Sequence, residues 1–121
     1  KMIVDKVFFN FEVQNFINDN EMIKLCLSLC NESKFIDIEN KTIKTDTAIL
    51  SYLLNNKIDV FNIREKYKKI NEIPFNSNRK MMTVLLNNGT SYTKGAPEIL
   101  IKFCKYIKIG FADASFAKKR A

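Results

Sequence analysis

The sequence predicts an α+β domain in which helices flank an antiparallel β-sheet. Helical spacing of apolar residues dominates the first half of the chain, and two-residue alternation dominates the stretch from Ile70 to Leu86. A strong hairpin signal follows, because asparagine and glycine tolerate the positive φ of tight turns, at Asn87, Asn88 and Gly89. Strands joined by such a turn are antiparallel, and helices are expected to cover the apolar face of the sheet.

The first elements are predicted to be a strand segment and a helix. Lys1 to Gln14 is rich in Val, Ile and Phe, which favours one or two strands. Asn20 is a suitable N-cap for the helix that follows, with Glu21 in its first turn. One face of this helix is predicted to carry Met22, Cys26, Leu29 and Cys30.

A short alternating segment and then two more helices are predicted before the sheet begins. Phe35 to Asn40 alternates polar and apolar residues and ends in a turn. Thr45 or Asp46 can then cap a helix that stops near Asn55, with an apolar face formed by Ile49, Leu50, Leu53 and Leu54. A shorter helix is predicted from Val60 to Lys68.

The second half is predicted to be mainly strands. Ile70 to Phe75 and Lys80 to Leu86 are the first two, and alternation places Met82, Val84 and Leu86 on one face of the second. Ser91 to Lys94 is the returning strand, and Gly95 is expected to end it. Pro97 suits the first position of a helix that reaches about Lys105, and a last strand is predicted from Tyr106 to Ile109.

Composition excludes several classes of function. The chain has 121 residues and a net charge of +7, but its lysines are spread along the whole length, which argues against a nucleic-acid-binding arm. It has no histidine, so mechanisms that need an imidazole base are excluded, and three cysteines without histidine do not indicate a metal site. Cys26 and Cys30 are expected to be buried free thiols, and no apolar run approaches the roughly 20 residues of a membrane-spanning helix.

Two short segments carry the functional information. The first runs from Ile73 to Val84 and contains Phe75, Ser77, Arg79, Lys80 and Met82; the second is Lys94-Gly95-Ala96-Pro97-Glu98. They resemble the two signature segments of the nucleotide-binding domain of P-type cation pumps, a Phe-x-Ser-x-Arg-Lys-x-Met stretch and a Lys-Gly-Ala-Pro-Glu stretch, in the family's order. The resemblance is closest to calcium-pump-like members.

The resemblance extends over about 110 residues of the chain. Leu29-Cys30-Asn31 is similar to the family's helix end, and Thr45-Asp46-Thr47-Ala48-Ile49 is similar to its Thr-Glu-x-Ala-Leu segment. The family's phosphorylated Asp-Lys-Thr-Gly-Thr-Leu-Thr motif is absent from this sequence. We therefore expect residues 1–110 to be a nucleotide-binding domain of a larger pump, and the Ala-rich, basic stretch from Phe111 to Ala121 to be a tail that is truncated or foreign to the domain.

The residue types themselves suit a nucleotide. Phe75 at a strand end can stack on a base, and Lys80 and Lys94 on neighbouring strands can face one cleft and bind phosphates. Gly95 removes a side chain where a ligand approaches the backbone, and Asp46 can accept a hydrogen bond from the adenine amino group. Alternatives at the same positions are core packing for Phe75, a solvated strand lysine for Lys94 and a helix N-cap for Asp46.

The resemblance implies the same roles. It implies that Phe75 stacks on adenine, that Lys80 and Lys94 line the ATP pocket and that Gly95 and Ala96 form its floor. Asp46 matches the acidic adenine contact, where the family usually has glutamate. Ser77 and Arg79 belong to the motif and either touch the nucleotide or shape the turn between the strands.

The resemblance also implies the partners. They are ATP, bound as Mg-ATP in the intact pump, and the phosphorylation and actuator domains of the same polypeptide; the domain would be the cytoplasmic part of an integral membrane protein. No catalytic or metal-ligating residue is predicted in this chain, so the fragment is expected to bind ATP without hydrolysing it. The alternative is a non-catalytic basic α+β module that binds an acidic protein or nucleic acid.

Overall fold

The computed structural model describes residues 2–9, 12–14, 20–104, 107–109 and 112–114. The opening segment forms a short antiparallel hairpin of β1 (Val7–Phe9) and β2 (Glu12–Gln14), in which Val7 pairs with Gln14. This agrees with the strand content predicted for the first fourteen residues. Among the residues described, no helix combines the length and hydropathy needed to cross a membrane.

Helix α1 (Glu21–Leu29) begins where the sequence predicts, because the Asn20 side-chain oxygen accepts a hydrogen bond from the Ile23 N–H at 3.1 Å. Leu29 is almost fully buried, whereas Met22, which was predicted on the same face, is 50% exposed. Met22 lies in the first turn of the helix, so the predicted face is not buried along its whole length.

Helix α2 (Phe35–Glu39) occupies the stretch in which polar and apolar residues alternate and for which no helix was predicted. The Asp37 carboxylate accepts hydrogen bonds from the Lys34 N–H at 2.8 Å and from the Ser33 hydroxyl at 3.1 Å. These bonds satisfy groups that a helix start leaves open, and they lower the pKa of Asp37, first through the backbone bond. A five-residue helix held by its own cap leaves no periodicity to detect.

Helices α3 (Thr45–Asn55) and α4 (Val60–Lys66) pack against α1. Their shared core is formed by Leu50, Leu53 and Val60, each with no exposed surface, and burying a side chain of this size stabilises the fold by about 1.5–3 kcal/mol. The N-cap of α3 is Lys44 rather than Thr45 or Asp46, so both predicted caps lie inside the helix.

Strands β3 (Lys69–Asn76), β4 (Met81–Leu86) and β5 (Ser91–Gly95) form an antiparallel sheet with β4 in the centre. The predicted face of β4 is buried, and it packs through Met82, Val84 and Leu86 against the α1 residues Leu25 and Leu29 and the adjoining Cys30. All eight residues of β3, which is one of the two edge strands, are exposed. The sheet and helices confirm the predicted α+β class.

The C-terminal elements are shorter than predicted. Gly95 is the last residue of β5, and Pro97 begins helix α5 (Pro97–Leu100), which continues as a 3₁₀ turn over Ile101–Phe103. Strand β6 (Ile107–Ile109) pairs with β7 (Ala112–Ala114), which lies in the stretch predicted to be a tail. The predictions for residues 105, 106, 110, 111 and 115–121 lie outside the described residues.

The three cysteines are free thiols, as predicted for Cys26 and Cys30. Cys30 is fully buried, and its Sγ donates to the Met82 carbonyl oxygen at 3.4 Å. Burial raises the pKa of Cys26 to about 11 and also raises that of Cys30. Both thiols therefore stay protonated near neutral pH and serve as core side chains.

Candidate functional site

An open cleft of about 720 Å³ lies between the start of α3, the β3–β4 turn and the end of β5. It contains seven of the eight residues that the sequence nominates for a site: Asp46, Phe75, Ser77, Lys80, Lys94, Gly95 and Ala96. The eighth, Arg79, does not line it. Residues that are up to 50 positions apart in the sequence thus meet in one concave surface of the size that a small-molecule ligand needs.

Phe75 presents its side chain to the cleft from the end of β3. It is 58% exposed, so the alternative that it is a core residue is wrong. Its backbone N–H donates a hydrogen bond to Oε2 of Glu32 at 3.0 Å. An exposed aromatic ring on a held backbone is suited to stacking against a planar ligand.

Lys94 and Asp46 face each other across the cleft and form an ion pair between the Lys94 ammonium and Oδ1 of Asp46. Both side chains are largely buried, at 23% and 20% exposure. The other carboxylate oxygen of Asp46 accepts a hydrogen bond from the Glu32 N–H at 2.8 Å. Asp46 therefore lies inside α3 and is not its N-cap, and each of its carboxylate oxygens has one partner in the protein.

Lys80 enters the cleft from the four-residue turn between β3 and β4. Its φ of 58° is left-handed, which is uncommon for lysine. The turn is held by Asn76, whose side-chain oxygen accepts hydrogen bonds from the N–H groups of Asn78 at 2.7 Å and Arg79 at 3.0 Å. The sequence placed Lys80 in the strand itself, whereas the structure places it at the last position of the turn.

Gly95 is required by packing against β4. A Cβ at this position would lie 2.4 Å from the Lys80 carbonyl oxygen and 2.8 Å from Cγ of Met81, both too close for any side chain. The next residue, Ala96, donates its N–H to the same Lys80 oxygen at 3.2 Å. The glycine thus lets β5 approach the backbone of the lysine turn, which differs from the ligand-approach reason that the sequence suggested.

The Arg79 side chain stabilises the turn between β3 and β4. Its Nη2 donates to the Met81 carbonyl oxygen at 2.9 Å. Ser77 lies in the same turn but lines the cleft. Of the two roles that the motif left open, the contacts of Arg79 are those of a residue that shapes the turn.

Several residues of the cleft were not nominated from the sequence. They are Glu32, Ser33, Asp37, Lys44, Thr45, Ile49, Met82 and Glu98. Ser33 and Thr47 share a hydrogen bond at 2.9 Å, which links the loop after α1 to α3. Glu32 directly follows the Leu-Cys-Asn stretch, and that adjacency is the one signal that could have drawn attention to it.

The cleft is charged but locally balanced. Lys44, Lys80 and Lys94 oppose Glu32, Asp37, Asp46 and Glu98, so three positive groups meet four negative ones. Within the described ranges, no group of three His, Cys, Asp or Glu side chains is placed to hold a metal ion. The arrangement can stack a planar group on Phe75 and offer ammonium groups to an anion.

An exposed aromatic ring and two lysines that line one cleft of an α+β domain are features of a small-molecule binding domain. The sequence profile of the family described as "P-type ATPase, cytoplasmic domain N" matches residues 20–118. The chain belongs to this family, the N domain of P-type ATPases.

Individual relatives agree with the family match. The chain is 37% identical to a calcium-transporting ATPase of Listeria monocytogenes over 84 residues, covering 65% of this chain and 9% of the relative. It is 34% identical to calcium-transporting ATPase 1 of Yarrowia lipolytica over 104 residues, covering 78% and 11%. It is 33% identical to the human sodium/potassium-transporting ATPase subunit alpha-4 over 98 residues, covering 69% and 10%. The chain thus spans about a tenth of the length of these relatives.

Proposed function

We propose that this chain binds ATP for a P-type cation-transporting ATPase and presents the γ-phosphate to an aspartate in a neighbouring domain of the same polypeptide. The observation that carries the proposal is the meeting of Phe75, Lys80 and Lys94 in one cleft. The family match supports an ATPase domain, and the names of several relatives favour calcium as the transported ion. The parent protein would be a membrane pump with this domain in the cytoplasm.

In this proposal each residue of the cleft contacts a different chemical part of the nucleotide. Phe75 would stack on the adenine ring, a contact worth about 1–3 kcal/mol. Lys80 and Lys94 would neutralise phosphate charge, and Lys94 would share or exchange its Asp46 partner when it does so. ATP, with Mg²⁺, supplies the phosphoryl group.

The contribution of this domain is positioning, which is a large part of what phosphoryl transfer requires. The turn bonds at Asn76 fix where Lys80 enters the cleft, and the close contact at Gly95 fixes the strand that carries Lys94. The aspartate that receives the phosphate belongs to another domain in this scheme. Hydrolysis by the isolated chain should therefore be negligible. The alternative of a basic binding module receives no support from the relatives.

Titration of the ¹⁵N-labelled chain with ATP, with GTP as the control, tests the proposal. We expect adenine-selective amide shifts around Phe75, Lys80 and Lys94, and Phe75→Ala should weaken ATP binding roughly 5- to 100-fold. Lys94→Ala should weaken ATP but not adenosine. Phe61→Ala is the matched control, because Phe61 is 63% exposed on α4 and does not line the cleft. A folded sample that shows no shifts up to about 10 mM ATP would overturn the proposal for this chain.

A further inference from the structure

We propose that Glu32 is a positioning residue that holds the aromatic platform of the cleft and ties it to the phosphate-side lysine. The inference rests on the proposed function. Three contacts carry it: the Phe75 N–H donates to Oε2 of Glu32 at 3.0 Å, the Glu32 N–H donates to Oδ2 of Asp46 at 2.8 Å, and the Lys94 ammonium pairs with Oδ1 of Asp46. This chain of bonds links the end of β3 to β5 through the loop after α1 and the first turn of α3.

The backbone of Phe75 needs an external partner because the pairing of β3 with β4 is interrupted there. Ile73 pairs with Thr83 and Asn76 pairs with Met81, and the register shifts between these two pairs. Pro74, which lies in the gap, has no N–H to donate. The Phe75 N–H instead reaches Glu32, which lies 43 residues earlier in the chain.

The edge position makes this contact more important. β3 is exposed along its whole length, so packing does little to fix the direction of the Phe75 ring. A hydrogen bond to a carboxylate is stronger than one between neutral groups, and it fixes the backbone that carries the ring. A platform fixed before the ligand arrives loses less conformational freedom on binding.

The direction in which ligand affinity changes distinguishes a positioning role of Glu32 from a purely electrostatic one. A carboxylate in the cleft repels a polyphosphate, so removing its charge alone should strengthen ATP binding. Removing the bond to Phe75 should weaken binding of the base. Glu98 provides the matched comparison, because it lines the same cleft from α5 without the bond to Phe75.

The test compares Glu32→Ala, Glu32→Gln and Glu98→Ala in this chain, with adenosine, ATP and tripolyphosphate as separate ligands. Glu32 and Glu98 are both exposed, so all three variants should fold. We expect Glu32→Ala to weaken adenosine binding about 2- to 10-fold without weakening tripolyphosphate binding, and to move the Phe75 amide resonance. Glu32→Gln should restore adenosine binding, because its amide oxygen can accept the same bond. Glu98→Ala should not weaken adenosine binding.

Each contrary result has a distinct meaning. If the wild type binds adenosine and Glu32→Ala binds it equally well, or if Glu32→Gln is as weak as Glu32→Ala, the positioning role is wrong while the proposed function stands. If the wild type binds neither adenosine nor ATP, the proposed function fails and the positioning role fails with it. The Phe75 amide resonance in the unliganded variants then still reports whether the bond exists.

Discussion

Gly95 occupies a position where the fold cannot accommodate a side chain without moving the backbone. Its α-carbon faces the backbone of Lys80 and Met81, and a methyl group there would overlap the Lys80 carbonyl oxygen. Overpacking of this kind costs about 1–3 kcal/mol. Since Lys94 precedes Gly95 and the overlapped atom is the carbonyl oxygen of Lys80, a backbone shift that relieves the overlap moves at least one lysine of the cleft.

We therefore expect Gly95→Ala to lower the free energy of unfolding by about 1–3 kcal/mol and to weaken ATP binding. Urea unfolding and the ATP titration measure the two effects. Gly89→Ala is the control: Gly89 has a φ of 89° with open space around it, so alanine there costs stability through its backbone alone and leaves ATP binding unchanged. A Gly95→Ala protein as stable as the wild type would contradict the close contact.

Residue chemistry and motif order indicated eight residues from the sequence, and seven of them line one cleft. Asp46, Phe75 and Lys94 do meet in the cleft. What the sequence could not give is how they are held. The bond from Phe75 to Glu32 spans 43 residues, and the ion pair from Lys94 to Asp46 spans 48, so no local pattern contains either.

At the scale of elements, the β3–β4 turn combines a structural cost with a ligand-facing side chain. Lys80 adopts a φ of 58°, and a non-glycine residue in this region is disfavoured by about 1–2 kcal/mol. The turn retains this conformation because Asn76 accepts two backbone hydrogen bonds and Ala96 donates a third to the Lys80 oxygen. Such strain is found where a side chain has to be aimed.

Comparing Lys80→Gly with Lys80→Ala separates the strain from the charge. Both variants lose the ammonium group, so both should bind ATP more weakly and adenosine normally. Glycine accepts the left-handed backbone and alanine does not, so Lys80→Gly should unfold at a higher urea concentration, by about 0.5–1 kcal/mol in free energy. An alanine variant more stable than the glycine variant would show that the turn is not left-handed, and unchanged ATP affinity in both would remove Lys80 from the site.

Elements with a long apolar period were predictable, and elements held by their own polar contacts were not. The buried face of β4 repeats every two residues and was predicted in full, whereas the buried residues of α1 are Leu25, Ser28 and Leu29, of which only Leu29 was predicted. Helix α2 begins where the Asp37 carboxylate accepts hydrogen bonds from the Lys34 N–H and the Ser33 hydroxyl. These contacts leave no helical period in the sequence. The start of α3 was displaced for a related reason, because Asp46 turns its carboxylate toward Lys94 and Glu32 instead of capping its own helix.

At the scale of the whole molecule, charge outside the cleft decides how an anion is attracted. The cleft itself holds three lysines and four carboxylates, a local balance of −1, whereas the chain carries +7. The long-range field is therefore positive although the site is nearly neutral. Added salt weakens this long-range attraction, because the Debye length falls from roughly 14 Å to 7 Å between about 50 and 200 mM salt.

We expect ATP binding to weaken about 2- to 5-fold over that salt range while adenosine binding stays constant, because adenosine has no charge to steer. Titrations of both ligands at the two salt concentrations, with single-stranded DNA as a third ligand, measure the difference. Equal salt sensitivity for adenosine and ATP would mean that salt acts on the fold and not on the phosphates. DNA binding that falls steeply with salt, together with salt-insensitive ATP binding, would instead favour a basic module that recognises nucleic acid. The steep dependence arises because a bound polyanion releases several counterions per strand, whereas a single nucleotide does not.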